Sequence, residues 1–163
     1  MKLFIALLLV YSTLDTPQIV EKPRNVVRHI ASMNGFNVTK EVEIALYKAA
    51  KAFNLDVREL TAIALVESGL GSNSIRRLNT NSTIDVGLFQ INTVNHSFCK
   101  EYKLDIPLDN ALCAGKLLSS IKARRADYLG VYHSKTPKKK MKYIQKINKV
   151  LNAADRYNSN KEL

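Results

Sequence analysis

"LVESGLGSNSIRRLNTNSTIDVGLFQIN", from Leu65 to Asn92, decides the fold, because an apolar helical pattern ends inside it on a carboxylate, Glu67. Upstream, Asp56 reads as a helix cap and Glu59, three residues on, completes a capping-box pair. The helix they open passes through Leu60, Ile63, Ala64 and Glu67, and spacings of three and four set Glu67 on the apolar stripe. Gly69 and Gly71 close it. Apolar neighbours and the negative end of a helix both disfavour an ionised carboxyl, so Glu67 is expected to keep a proton near neutral pH. From Ser72 to Ile84 the composition turns to Ser, Asn, Thr and Arg, the mark of a polar loop or small hairpin. A cleft is expected at this excursion.

Working outward, Val26, Val27, Ile30 and Met33 predict a short helix ending near Asn34-Gly35. A second starts behind Thr39, with Val42, Leu46, Ala49 and Phe53 inward and Lys40, Glu41, Lys48 and Lys51 outward. Downstream, Ser97–Leu104, Asp109–Ala126 and Lys138–Asn152 read as helices. The fold class is therefore mainly α, a single helical domain with one hairpin-like excursion after Glu67. Its 163 residues are enough for one domain with a core of its own. No repeat or linker divides them.

With 25 Lys+Arg against 14 Asp+Glu, the net charge is +11. Such a balance suits nucleic acid, anionic lipid or an anionic polymer, and says nothing of fold. Met1-Lys2 followed by the apolar run Leu3–Val10 reads as an export signal, too short to span a bilayer, against the alternative of an ordinary strand or core helix. In an oxidising compartment Cys99 and Cys113 can close a loop of about 15 residues, worth about 3 kcal/mol; otherwise they are two buried thiols. The scattered His29, His96 and His133 argue against a metal site. Lys135–Lys149 carries seven lysines and no acid, interleaved with Met141, Ile144 and Ile147, and reads as an amphipathic helix with a solvated basic face.

"ESGL" followed about twenty residues later by "DVGLFQIN" resembles the lysozyme-like fold, particularly soluble lytic transglycosylases with their Glu-Ser and Gly-Leu-x-Gln elements. Within that family the chain is most similar to the short exported transglycosylases of type III and type IV secretion and conjugation systems. The resemblance covers roughly Leu55 to Lys149. It implies an α+β lysozyme-like architecture divided as 1–16 export signal, 17–54 N-terminal helices, 55–152 catalytic region in one domain with those helices, and 153–163 polar tail. It also implies peptidoglycan glycan strands as substrate, with no cofactor and no metal. Glu67 would be the catalytic acid, protonating the β-1,4 glycosidic oxygen and then accepting the proton of the sugar's own C6 hydroxyl. Ser68 and Gln90 would position acid and glycan, and Asn92 would be an adjacent contact. Asp85, two before Gly87, stands where lysozyme-like chains hold a second carboxylate; two carboxyls about 5 Å apart would suit retaining hydrolysis. Its alternative is a turn or capping Asp.

"YHS", Tyr132 to Ser134, stands at the family's Tyr-Asn-x-Gly element, carrying Tyr132 over and departing from it at His133. "DNALCAGKLLSS" resembles the segment with Asn and Gly that packs behind the family's site, but its Asn-to-Gly interval is one residue longer, which weakens any role for Asn110. With no Trp, sugar stacking falls to Phe89, Tyr132 or Tyr128. The expected activity is lytic transglycosylation, with a water-using muramidase or a silent wall-binding scaffold as alternatives. The expected setting is the exported, periplasmic envelope, with secretion or conjugation proteins as partners and no transmembrane anchor in the mature form. Nucleic acid is not expected, since the export-like leader argues against it.

Overall fold

A computed structural model describes residues 24–71 and 76–159, so the leader-like residues 1–16 lie outside the described part. Three helices come first: α1 (Arg24–Met33), α2 (Lys40–Phe53) and α3 (Val57–Ser68). The Thr39 hydroxyl caps α2 by accepting from the Val42 amide, and the Asp56 carboxylate caps α3 by accepting from the Arg58 amide. Val42, Leu46 and Ala49 are buried, while Lys40, Glu41, Lys48 and Lys51 are exposed, as the pattern predicts.

The excursion after α3 is a three-stranded antiparallel sheet in the order β1 (Arg76–Leu78), β2 (Ile84–Val86), β3 (Ile91–Asn92), followed by a 3₁₀ turn at Thr93–Asn95. Register places Arg77 opposite Asp85, and Asp85 opposite Asn92. The chain then returns to helices α4 (Pro107–Lys122), α5 (Tyr128–His133) and α6 (Pro137–Ser159).

α4 lies along α2, closely enough that a Cβ on Gly115 would collide with the Phe53 ring. α3 packs against α1 and α6, and α5 against α4 and α6. The core joins α1, α2, α3, α4 and α6 through Ile30, Leu46, Leu60, Ile63, Leu118 and Ile147, with Phe89 inserted from the sheet side. Among the described residues no helix is long and apolar enough to cross a membrane.

Three helix expectations are corrected. Ser97–Leu104 is a series of turns, because the segment is too short to sustain a helix alone and is held elsewhere at both ends. Cys99 is bonded to Cys113 in α4, with Cα atoms 5.6 Å apart, and the Lys103 amide donates to the Asp109 carboxylate. The helix read as Asp109–Ala126 begins at Pro107, where proline suits a first turn, and stops at Lys122, leaving Tyr128–His133 as a separate short helix. The inward stripe of α6 is Tyr143, Ile147, Val150 and Ala154, spaced four, three and four. Met141 lies off that stripe and is 63% exposed.

Candidate active site

Glu67 is the penultimate residue of α3, and its surroundings begin with how that helix stops. Gly69, Leu70 and Gly71 all have positive φ (60°, 59° and 85°). The Gly69 amide donates to Leu65 O at 2.9 Å and the Leu70 amide to Ala64 O at 3.2 Å. Leu70 is a non-glycine residue in left-handed backbone, a strained choice that its burial in the core holds in place. The turn is tied to the sheet through Ser68, whose hydroxyl accepts the Gly71 amide at 2.9 Å and donates to Leu88 O at 2.7 Å. Ser68 is buried, and therefore positions the end of the acid's helix from within.

The facing wall is built around the turn that follows β2. Gly87 has φ 75°, and a Cβ there would collide with Asn110 Nδ2 and the Leu104 carbonyl. The reason for that close approach is Asn110 in α4, fully buried and using all of its amide: Nδ2 donates to Val86 O (2.9 Å) and Leu104 O (2.8 Å), and Oδ1 accepts the Phe89 amide (2.8 Å). The Phe89 carbonyl is held from the other side by the Tyr132 hydroxyl at 2.9 Å. Gln90 follows with φ 48° and donates from Nε2 to Gly87 O at 2.8 Å.

Asp85 is buried at the centre of the sheet, with both oxygens engaged. Arg77 binds Oδ2 and Asn92 Nδ2 binds Oδ1, each at 2.7 Å. Asn92 also donates to Thr83 Oγ1 and accepts the Val94 amide, so it fastens β3 to its neighbours as well.

The Glu67 side chain is 10% exposed, and three rings surround it. Tyr132 lies close enough to both Glu67 and Asp85 that burial first, and the two carboxylates second, push its phenol well above the ordinary tyrosine range. Tyr143, on the buried stripe of α6, is pushed up by burial, then by Glu67 and Tyr132. Its hydroxyl lies beside the Glu67 carboxyl without a well-aligned hydrogen bond. Both phenols therefore stay protonated through any working pH. The third ring is His133, with Nδ1 3.7 Å from Glu67 Oε1 and stacked on Tyr143 at 4.3 Å between centroids, the planes 4° apart.

Glu67 and Asp85 thus act electrostatically on one hydroxyl, that of Tyr132, with Ser68 and Gln90 in the turns behind them. Two stacking assignments are corrected. Phe89 is 0% exposed, so its ring fills the core and its backbone does the positioning. Tyr128 donates its hydroxyl to Glu59 and has Lys122 Nζ 5.2 Å above its ring, at the other end of α3. Asn110, set aside on its interval to Gly115, is the main clamp of the sheet-side wall. Tyr143 and His133 went unread at this site. The available signal for Tyr143 was its place on the α6 apolar stripe; for His133 it was adjacency to Tyr132.

A separate groove of about 940 Å³, lined by Arg28, Ile44, Tyr47, Lys51 and Leu55, lies near the start of α3. About 15 Å of helix separates Val57 at that end from Glu67.

Residues 44–124 match a family model described as "Lysozyme like domain". The matched segment holds Glu67, Ser68, Asp85, Gln90, Asn110 and both cysteines; Tyr132, His133 and Tyr143 fall after it. No curated protein matches the chain. The mainly helical fold is lysozyme-like, and a domain of this kind supports a peptidoglycan-acting class that cleaves glycosidic bonds.

Proposed function

We propose that the protein is an exported peptidoglycan lytic transglycosylase, cleaving the β-1,4 bond between N-acetylmuramic acid and N-acetylglucosamine and opening the wall locally for a secretion or conjugation apparatus. The observation that carries the reading is the placing of Glu67: an acid at the end of an apolar helix, nearly buried and beside two phenols, one of which also feels Asp85 of the small sheet. A carboxyl so enclosed suits general-acid work, which contributes about 10²- to 10⁴-fold to rate.

In the forward step Glu67 gives its proton to the glycosidic oxygen. The C1–O bond breaks with its electron pair leaving on that oxygen, and positive charge develops at C1. The C6 hydroxyl of the same sugar attacks C1 and loses its proton to the Glu67 carboxylate, which closes the 1,6-anhydro ring and restores the acid. The substrate N-acetyl group stabilises the intermediate, so no protein nucleophile is required. Asp85 fits this reading, since Arg77 and Asn92 occupy both of its oxygens and favour an electrostatic and structural part over attack at C1. The positive surface raises the encounter rate with a mesh bearing peptide carboxylates, in a salt-dependent way.

Mass analysis of fragments released from purified peptidoglycan tests this. Anhydro-muropeptides are expected from the native protein, falling by about 10²-fold or more in Glu67→Gln. Reducing-end products would make the protein a muramidase and Asp85 its second carboxylate. No release by folded protein would leave a wall-binding scaffold.

A further inference from the structure

We infer that α6 carries a docking stripe for the peptide stems of the glycan, on which Lys138, Lys142, Lys146 and Lys149 bind stem carboxylates and so favour strands that carry stems over bare glycan. This deepens the proposed reaction and rests on peptidoglycan being the substrate. Steps of four, four and three place these side chains on one flank of the helix, over about 16 Å. All four are exposed. On the other flank Lys140 and Ile144 meet Gly130, so the stripe is turned away from α5.

The charges nearby leave the stripe unanswered. From Tyr128 to Ala154 the sequence contains no Asp or Glu. The two acids that border this stretch are engaged, Asp127 with Arg125 and Lys140, and Asp155 with Arg58. Among the described residues, none of the four lysines has an ion pair. Like charges at four-residue spacing also destabilise a helix, so the arrangement weakens α6 within the molecule and is relieved by an anion from outside it.

The kind of anion follows from the side chains. The stripe is lysine throughout, with no arginine between Tyr128 and Ala154. A guanidinium fork suits anions of fixed planar geometry, whereas an ammonium on a flexible stem suits carboxylates at the ends of mobile peptides. A bilayer fits less well, because the apolar stripe of α6, Tyr143, Ile147, Val150 and Ala154, is buried in the core and cannot enter lipid. Position completes the case. Tyr143, beside Glu67, immediately follows Lys142, so the stripe starts about one turn before the level of that ring and ends about 9 Å beyond it. A stem carried by the muramic sugar at the scissile bond leaves the glycan at that level.

Binding of soluble glycan strands, with stems intact or removed by an amidase, tests this in a Glu67→Gln background so that the strands are not cut. Stem-bearing strands should bind more tightly than bare ones. Lys142→Gln, Lys146→Gln and Lys149→Gln together should weaken the former about tenfold at about 0.1 M salt and leave the latter unchanged, while Arg at the same three positions should bind as Lys does. Removing an equal charge from α2, by Lys40→Gln, Lys48→Gln and Lys51→Gln, should change affinity by less than about twofold. Equal affinity for both kinds of strand, an equal loss from the α2 variant, or an α6 variant that loses phosphatidylglycerol vesicles and keeps the strands would overturn the proposal. If the stripe reads stems while the native protein releases no fragments, the docking surface stands and the catalytic reading fails. Release of anhydro-muropeptides with indifference to stems would keep that reading and remove the stripe.

Discussion

The two walls that meet at Glu67 are built by different means. The helical wall, α3 with α1 and α6 behind it, is held by aliphatic packing: Leu60, Ile63, Ile30 and Ile147 share one core, and any one of them is backed by several neighbours. The sheet-side wall hangs on single polar side chains. Ser68, Asn110 and Tyr132 each fasten the backbone between Val86 and Phe89, and Arg77, Asp85 and Asn92 lock the strands by hydrogen bonds. Packing is distributed and tolerates small changes in shape. A buried hydrogen bond has one partner, and its loss strands the other group. The acid therefore sits on a robust element, while the surface opposite it depends on a few specific residues.

The sharpest way to break this contrast is Asn110→Ala. It removes few atoms, yet leaves the Phe89 amide and the Val86 and Leu104 carbonyls without their partner in a buried place. At about 1–3 kcal/mol for each stranded group, the expected loss is about 3 kcal/mol or more by urea denaturation, a large share of a typical domain's stability. Amide exchange should localise the damage, with the Phe89 amide losing protection before the amides of α3. A loss below about 1 kcal/mol, or equal deprotection of α3 and the sheet, would show that the sheet-side wall is not held as described.

The same contrast explains what was legible in the sequence. Periodicity announces distributed packing, so α1, α2 and α3, their caps at Thr39 and Asp56, and the place of Glu67 at the end of an apolar stripe could all be read in advance. Polar clamps have no period. Asn110 reaches the Phe89 amide 21 positions away, and nothing in "DNALCAG" states that its amide lies inside the protein. Phe89 looked like a sugar platform because an aromatic beside a motif does not disclose which way it points; the turn at Gly87 and Gln90 turns it inward. Tyr143 was hidden among lysines, and only the true phase of the α6 stripe brings it to Glu67. Ser97–Leu104 misled because apolar spacing over eight residues is too short to distinguish a helix from successive turns.

The bridge between Cys99 and Cys113 sharpens the comparison by a covalent route. It joins the turns after the sheet to α4, the helix that carries Asn110, and closes a loop with a sequence separation of 14. Opening it in Cys99→Ser with Cys113→Ser should cost about 3 kcal/mol in the chain-entropy picture. The expected signature is again asymmetric: the segment from β3 to the start of α4 should exchange faster while the α1–α3–α6 core keeps its protection. Uniform weakening would place the bridge's effect in the unfolded chain alone, without local influence on the sheet-side wall.

The smallest expected effect on stability is the most informative about function. Tyr132→Phe keeps the ring and deletes one hydroxyl, which donates to Phe89 O and lies in the field of both Glu67 and Asp85. One hydrogen bond to a backbone carbonyl is worth about 1 kcal/mol, or about 2–4 °C in Tm for a protein of this size. If Tyr132 were only a clamp, activity would fall no further than the fraction folded. Because its hydroxyl fixes the Phe89 carbonyl and feels both carboxylates, muropeptide release at 25 °C, where the variant remains folded, should drop by about tenfold. Retention of full activity with the same small loss of Tm would return Tyr132 to the sheet-side wall and leave His133 and Tyr143 as the groups that shape the surroundings of Glu67.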